Sequence, residues 1–498
     1  MKTEYTDGYF NVSKKYGFLP MYSCLNDINF PNDFIVLKKF CDNLPIIKKD
    51  NRLGILYYKN QIEDKIKELP NLLNEINKIE SDKLNDEILL ECGGKQSGKR
   101  LIPIRLIYQT LFRYYAFLTS TYCLEPTYNS YMKDKTYGMA RTIIPKNIAE
   151  PFCKIADLLG CYPWLEYHYS YGLGNFKILN YKEDYNYELE DIEVESLFCG
   201  DRDEINFIKV HILINLYTPQ LINNLYDVFD GIQMNHSDLI IEALKKLNRC
   251  VHNMNEKRKL MWTNSDTGRY GAYRIFLMGS EGNDKIFEDG LLYENVNEDK
   301  VKYRGETGAQ DDIIPTLDIF TGVTKFYPDT ILTKYLHNLR DYRPRVIIDF
   351  FNDLEQESID LKDKIIALCG KRGLIYFLAI VNEIYLFRNG HWQFVQNYIM
   401  NNTEYNVATG GTPLNMWLPN QIKACLDCMD DILSEYSWEA KFISFETKLE
   451  VEDIQLIEKL RMEQNRKRKL LDEQLEELKK KMYDLQKIIN SNDEFKDD

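Results

Sequence analysis

Long uninterrupted apolar runs are missing from this 498-residue chain. The longest, residues 374–381, is closed by Arg372 on one side and by Asn382 and Glu383 on the other, well short of the ~20 residues that a membrane-spanning helix requires. Met1-Lys2-Thr3-Glu4 lacks the apolar core of a signal peptide, so no leader is expected. Basic residues are in deficit: 63 Lys and Arg face 77 Asp and Glu, a formal charge of −14, which disfavours a sequence-independent grip on phosphate backbones. Neither nucleic acid nor a membrane is an expected partner. A cysteine framework is also lacking. The 11 cysteines are scattered singly, which fits reduced thiols in a cytoplasmic protein.

What is present is an ordinary globular composition, 44% apolar and 13% aromatic, with ample chain for a large core and a length that by itself suggests about three domains. Helical periodicity runs over residues 34–44, 53–79 and 102–120, with a polar interruption at 81–100. Residues 181–204 are acidic and tyrosine-rich without helical period, and read as a connecting segment with short strands at a domain boundary. A second helical region spans about 205–440, punctuated by Gly/Asp/Asn loops at 264–271, 279–311 and 401–414. The expected architecture is all-α: a smaller N-terminal domain (1–190), a larger helical domain (191–445) and a charged helical tail (446–498). In the tail Leu471, Leu475, Leu478, Met482, Leu485 and Ile489 follow the 4-3-4-3-4 spacing of heptad a and d positions, a short coiled-coil signal that would allow self-association through residues 470–490. The competing reading is a single helix laid on the body, because Arg466-Lys467-Arg468-Lys469 breaks the stripe.

Two motifs carry less than they suggest. Gly93 to Lys99 matches the first seven positions of a phosphate-binding loop, but Arg100 stands where a Ser or Thr hydroxyl would bind magnesium. Cys425-x-x-Cys428 has no second pair and lies in helical periodicity, so two half-buried thiols are expected there.

Histidine is scarce enough to be informative. Of the six, His168, His236, His252 and His337 lie in polar or mixed sequence. His211 shares a helical stripe with Phe207, Val210 and Ile214, and His391 with Phe387, Phe394, Val395 and Ile399. A buried imidazole without a partner costs about 1–3 kcal/mol. For one such histidine a structural partner is the ordinary answer, but two on separate apolar helices point to a metal centre between them, and non-covalent haem suits those surroundings better than zinc. No C-x-x-C-H occurs, which excludes covalent haem attachment. Arg274, inside the apolar run 273–279, needs an anion for its fork, either a structural carboxylate or a substrate's. Gly305-Glu306-Thr307-Gly308 and Thr409-Gly410-Gly411-Thr412 offer approachable amides and hydroxyls of the kind that hold a ligand or close over a site.

These stretches, with Ile144-Pro145-Lys146-Asn147-Ile148-Ala149-Glu150-Pro151-Phe152-Cys153, Asp289-Gly290-Leu291-Leu292-Tyr293-Glu294, Leu339-Arg340-Asp341-Tyr342-Arg343-Pro344, Phe387-Arg388-Asn389-Gly390-His391 and the segment 305–318, resemble the haem-dependent indoleamine 2,3-dioxygenases. They recur in that family's order over roughly residues 8–440. The resemblance implies a larger domain that holds non-covalent haem b, with L-tryptophan and dioxygen as substrates, N-formylkynurenine as product, and an electron donor to keep iron ferrous. It implies His391 as the proximal iron ligand, Arg388 and Asp318 as its orienting pair, and Gly305 and Thr307 beside the haem propionates. Arg274 would pair with the substrate carboxylate, Gly411 and Thr412 would close the site, and Tyr167 and Phe207 would line the indole pocket.

Three departures bear on turnover. His211 stands where many members carry a serine, and as a distal catalytic imidazole it would hydrogen-bond the indole N–H or dioxygen, or ligate iron itself. Arg269 and Tyr270 stand where two aromatics are usual, implying a more polar or narrower pocket. Asp311 and Asp312 replace small hydroxyl residues and add negative charge. A haem-binding member with little turnover, acting as a sensor or partner-binding protein, is the alternative, and a haem-free helical scaffold is the third reading.

Overall fold

The computed structural model describes residues 1–27, 29–93, 98–183, 185–329, 338–400, 407–411, 414–437 and 449–493, with no account of the side chains of 414–417, 475 and 477–493. Helix makes up 61% of the protein, and strands among the described residues occur only as short two-stranded pairs. The all-α expectation holds.

The first half contains α1 (Ile35–Asp42), α2 (Leu73–Asp82), α3 (Ile104–Asp134) and α4 (Lys146–Leu159). The helical stretch expected over 53–79 is broken at Pro70, which has no N–H to continue a helix, leaving a short turn of helix at Ile62–Lys67 before α2. The polar interruption is a β-hairpin: Glu87–Cys92 runs antiparallel to Gly98–Pro103, with Cys92 opposite Gly98 and Arg100 opposite Leu90. The phosphate-loop-like string therefore has Gly98 and Lys99 in a strand, and its residues 94–97 lie outside the described residues. The connecting segment carries the expected short strand, Ile192–Val194, paired with Phe176–Ile178.

The second half contains α5 (Arg202–Asn215), α6 (Thr218–Gln233), α7 (Ser237–Arg258), α8 (Ile313–Thr321), α9 (Arg345–Glu357), α10 (Leu361–Val395) and α11 (Leu414–Ser437). Helix α10 packs against α7 and α11. It bends at Gly370, whose φ of +58° and ψ of −147° suit glycine alone. By length and composition residues 361–400 could cross a membrane, a longer apolar segment than the 374–381 run suggests, but 78% of its most apolar window is buried within the fold. It is a core helix. The N-terminal strand pair is tied to α9, where the Tyr5 hydroxyl donates to Asp353 at 2.6 Å and the Met1 amino group meets Glu357 at 2.6 Å. Cys425 and Cys428 are fully buried on α11, not half-buried.

The tail begins as α12 (Val451–Asp493) and lies back on the body. Ile457, Leu460 and Leu471 are buried against the core, and Gln464 donates to the Leu426 carbonyl at 3.0 Å. Asp453, with no exposure, accepts from the Tyr376 hydroxyl at 2.7 Å and pairs with Arg372 at 2.8 Å. Leu471, counted above in the coiled-coil stripe, therefore faces this same chain, which favours the laid-down helix over residues 451–471. The rest of the stripe lies outside the described side chains.

Removing one partner of a buried ion pair costs about 3–5 kcal/mol. Asp453→Ala is therefore expected to lower the unfolding free energy by about 3 kcal/mol and to let limited proteolysis release α12, with Asp453→Asn losing less. An unchanged denaturant midpoint would show that Asp453 does not anchor the tail.

Candidate functional site

Helix α5 is started by Asp201, which accepts from the Glu204 amide at 3.0 Å, and by the buried Glu204 carboxylate, which accepts from the amides of Phe198, Cys199 and Gly200 at 2.7–2.8 Å. Burial still holds the Glu204 carboxyl up at about 7 against those three bonds. The i, i+4, i+7 stripe then brings Phe207, His211 and Ile214 onto one face, and the same spacing on α10 presents Phe387, His391, Phe394 and Val395. The two stripes line one cavity, and an adjoining cavity lined by Asp318 and Arg388 shares Gly308, Ala309, Asp311, Phe387 and His391 with it.

The two histidines differ in their bonding. The Nδ1 of His211 lies 2.9 Å from the Phe207 carbonyl, so Nδ1 carries the proton and Nε2 keeps a free lone pair. Burial pushes the pKa of His211 down, partly opposed by that bond and by Asp311. His391 makes no hydrogen bond among the described residues. Burial, with His211 and Arg258 facing it, lowers its pKa to about 4, so the ring is neutral and available as a ligand.

On the far side of His391, Arg388 donates to Asp318 at 2.5 Å, to the Tyr327 hydroxyl at 2.6 Å and to Cys425 Sγ at 3.0 Å, while Tyr327 donates to Asp318. Burial raises the Asp318 carboxyl pKa despite the opposing Arg388. The second oxygen of Asp318, Oδ1, is buried without a partner among the described residues. In the other cavity Arg274, 1% exposed, bonds the Val407 carbonyl through Nη2, while its Nε and Nη1 have no partner there.

A turn at Gly308–Gln310, capped by the Thr307 hydroxyl, forms the wall between the cavities. Arg343 holds it, donating to the carbonyls of Ala309 and Asp311 at 3.1 and 3.0 Å and to the Asp312 carboxylate at 2.7 Å. Asp312 also meets His168 Nε2 at 2.8 Å, and all three side chains are buried. Burial alone would lower the His168 pKa, but Asp312 and then Glu166 raise it to about 9. Asp311 faces both cavities and accepts from Tyr167 and Asn215, each at 2.8 Å. Its pKa is raised by burial and then by Asp312.

Phe207, His211, Arg274 and Thr307 thus line one cavity and Asp318 and Arg388 the adjoining one, with His391 in both. Tyr167 stands behind the wall and positions Asp311 instead of lining the cavity. Gly305 is sealed in a backbone crossing, where a Cβ would strike Gly279 and Leu277. Gly411, with φ of +90°, docks against Glu281 and Gly282, while Ala408 and Thr409 reach the cavity. Thr412 lies outside the described residues. Arg269 points to solvent near Asp201 and Asp203, so it does not make the pocket polar, whereas Tyr270 lines it. Asp312 brings no free charge, since Arg343 and His168 neutralise it. Sequence reasoning missed His168, Arg343, Arg258 and Glu306. His168 sits in the aromatic string 167–171, which folds as a wide helical turn without periodicity.

These features define a helical protein built around a buried cavity with opposed, neutral histidines and an unsatisfied arginine. A profile of the family Indoleamine 2,3-dioxygenase matches residues 109–416, and the chain belongs to that family. It is 26% identical over 296 residues to Indoleamine 2,3-dioxygenase 1 of Rattus norvegicus, covering 56% of this chain and 71% of that protein. With Indoleamine 2,3-dioxygenase 2 of Mus musculus it shares 26% identity over 264 residues, 53% of this chain and 63% of the relative. With Indoleamine 2,3-dioxygenase acdA of Aspergillus candidus it shares 30% over 190 residues, 36% and 46% respectively.

Folding raises the pKa of His168, so its pairing stabilises the protein in full below the unfolded value of about 6.5 and is lost as pH rises through about 9. Denaturant titrations of the wild type are expected to lose a few kcal/mol over that window, at about 1.4 kcal/mol per pKa unit, and His168→Gln is expected to flatten the slope. Parallel curves for the two proteins would show that His168 does not carry this linkage.

Proposed function

We propose that this protein is a haem-dependent dioxygenase that inserts both atoms of dioxygen across the indole 2,3-bond of L-tryptophan or a related indoleamine to give N-formylkynurenine. The observation that carries the reading is the neutral, unpartnered imidazole of His391, which opens into a largely apolar cavity also lined by the half-satisfied guanidinium of Arg274. The residues present fit haem b. His391 supplies a nitrogen lone pair, and the orphaned Oδ1 of Asp318 lines the same cavity as His391, where it can accept the imidazole N–H and set the ligand's orientation. Among the described residues no group of three or more His, Cys, Asp or Glu forms an alternative metal cluster. Arg258, whose hydrogen bonds are long at 3.4 Å, and Thr307 would face the propionates.

When bound in its ferrous state, kept so by an electron donor, haem supplies the dioxygen chemistry. The protein's part is to bind, align and exclude water. Arg274 takes the substrate carboxylate through Nε and Nη1. Phe207, Tyr270 and Phe394, whose rings lie 5.4–6.4 Å apart in pairs, pack the indole. His211 Nε2 accepts a hydrogen bond from the indole N–H, fixing the ring against rotation. The lone pair on His211, which lines the same cavity as His391, also favours a second reading in which both imidazoles would hold the haem and the protein would act as a sensor with little turnover.

The test is the absorbance spectrum of the haem-reconstituted, reduced protein before and after dioxygen and L-tryptophan. Product appearance supports the dioxygenase, and a spectrum of two strong axial ligands without product supports the sensor. His391→Ala is expected to abolish haem retention, and an unaltered Soret band would remove its ligand role. Arg274→Ala is expected to raise KM, at a cost of about 2–5 kcal/mol for an unpaired buried partner; an unchanged KM would refute carboxylate capture. Self-association through residues 470–490 belongs to the same proposal, and a chain ending at residue 474 with unchanged mass by light scattering would exclude it.

A further inference from the structure

One carboxyl group in the cavity is used neither by haem ligation nor by carboxylate capture. Glu306 is 5% exposed, lines the cavity with Arg274 and Phe207, and makes no hydrogen bond or ion pair among the described residues. A carboxyl so placed has given up hydration without a replacement, which is unfavourable until a donor arrives. Burial and then Glu166 hold its pKa up at about 8. Its position is rigid. The preceding residue, Gly305, is locked in the backbone crossing with Gly279, and the following Thr307 caps the next turn, so the side chain is presented from two fixed points.

Arg274 is a second incompletely bonded ionisable group of this cavity, and among the described residues no ion pair joins it to Glu306. Arg258 and Asp311 line the same cavity but are already bonded, which leaves Arg274 and Glu306 as a cation and a latent anion that do not satisfy each other. We propose that Glu306 is the ammonium site: Arg274 holds the α-carboxylate and Glu306 the α-ammonium, so the cavity selects a zwitterionic amino acid over an amine lacking the carboxylate or an acid lacking the ammonium. This rests on the role of Arg274 given above and narrows the substrate class of that cavity. Tryptamine and indole-3-propionate, each missing one charge, are then weaker ligands than L-tryptophan.

The test is calorimetric titration of the haem-loaded full-length protein with L-tryptophan, tryptamine and indole-3-propionate, for the wild type, Glu306→Gln and Arg274→Gln. A Soret band like that of the wild type identifies variants that are folded and loaded. Glu306→Gln is expected to weaken L-tryptophan and tryptamine about tenfold or more, the usual effect of losing a charge-assisted hydrogen bond, while indole-3-propionate stays within about twofold. Arg274→Gln is expected to weaken L-tryptophan and indole-3-propionate and to spare tryptamine. Equal loss for all three ligands in Glu306→Gln would make Glu306 merely structural, and no loss for any would refute contact with the substrate. If this pattern holds but the wild type forms no N-formylkynurenine, the ammonium site stands and the dioxygenase reading falls. If product forms without the pattern, the reverse is true.

Discussion

Asp312 has lost all contact with water, and a carboxylate in that state survives only where cations and donors replace its hydration. Arg343 at 2.7 Å and His168 at 2.8 Å do so. Arg343 also holds the carbonyls of Ala309 and Asp311. Three segments far apart in sequence, 166–171, 308–312 and 339–343, are thereby forced together, and the turn they hold is the wall shared by both cavities. The positions of Thr307, Asp311 and Glu306 follow from this arrangement. Removing any one partner would leave an uncompensated charge in the interior beside the site.

Helix α10 serves two roles through one property. Its apolar composition lets it run buried within the fold, and among the described residues no side chain hydrogen-bonds His391. The result is a neutral imidazole with a free lone pair, the state a metal ligand must have. Arg388, one turn earlier, bonds Asp318 and Tyr327, so the helix carries both this imidazole and the group that fixes a carboxylate lining the same cavity.

Much of this was legible from residue order. The histidine stripes on 207–214 and 387–399 were readable because helical spacing converts directly into a shared face, and Arg274 was readable because a guanidinium in an apolar run demands an anion. His168 was not readable. Its partner Asp312 lies 144 positions away, and its own neighbours are aromatic residues with no helical period. The departure at Asp312 looked like added charge because its two cations come from elsewhere in the chain, and Arg269 looked like a pocket residue because spacing alone does not say on which side of a short helix a side chain leaves.

By itself the sequence determined the helical class, the apolar faces that meet, and the types of group those faces carry, because backbone periodicity and burial are local consequences of side-chain polarity. Only the tertiary structure decided which of those groups are satisfied. Hydrogen bonding is a matter of atoms within about 3 Å, supplied to Asp312 by residues 31 and 144 positions away. That is why Asp312 is neutralised and Tyr167 withdrawn behind the wall, while Arg274, Glu306 and His391 are left facing the cavity with bonds still to make.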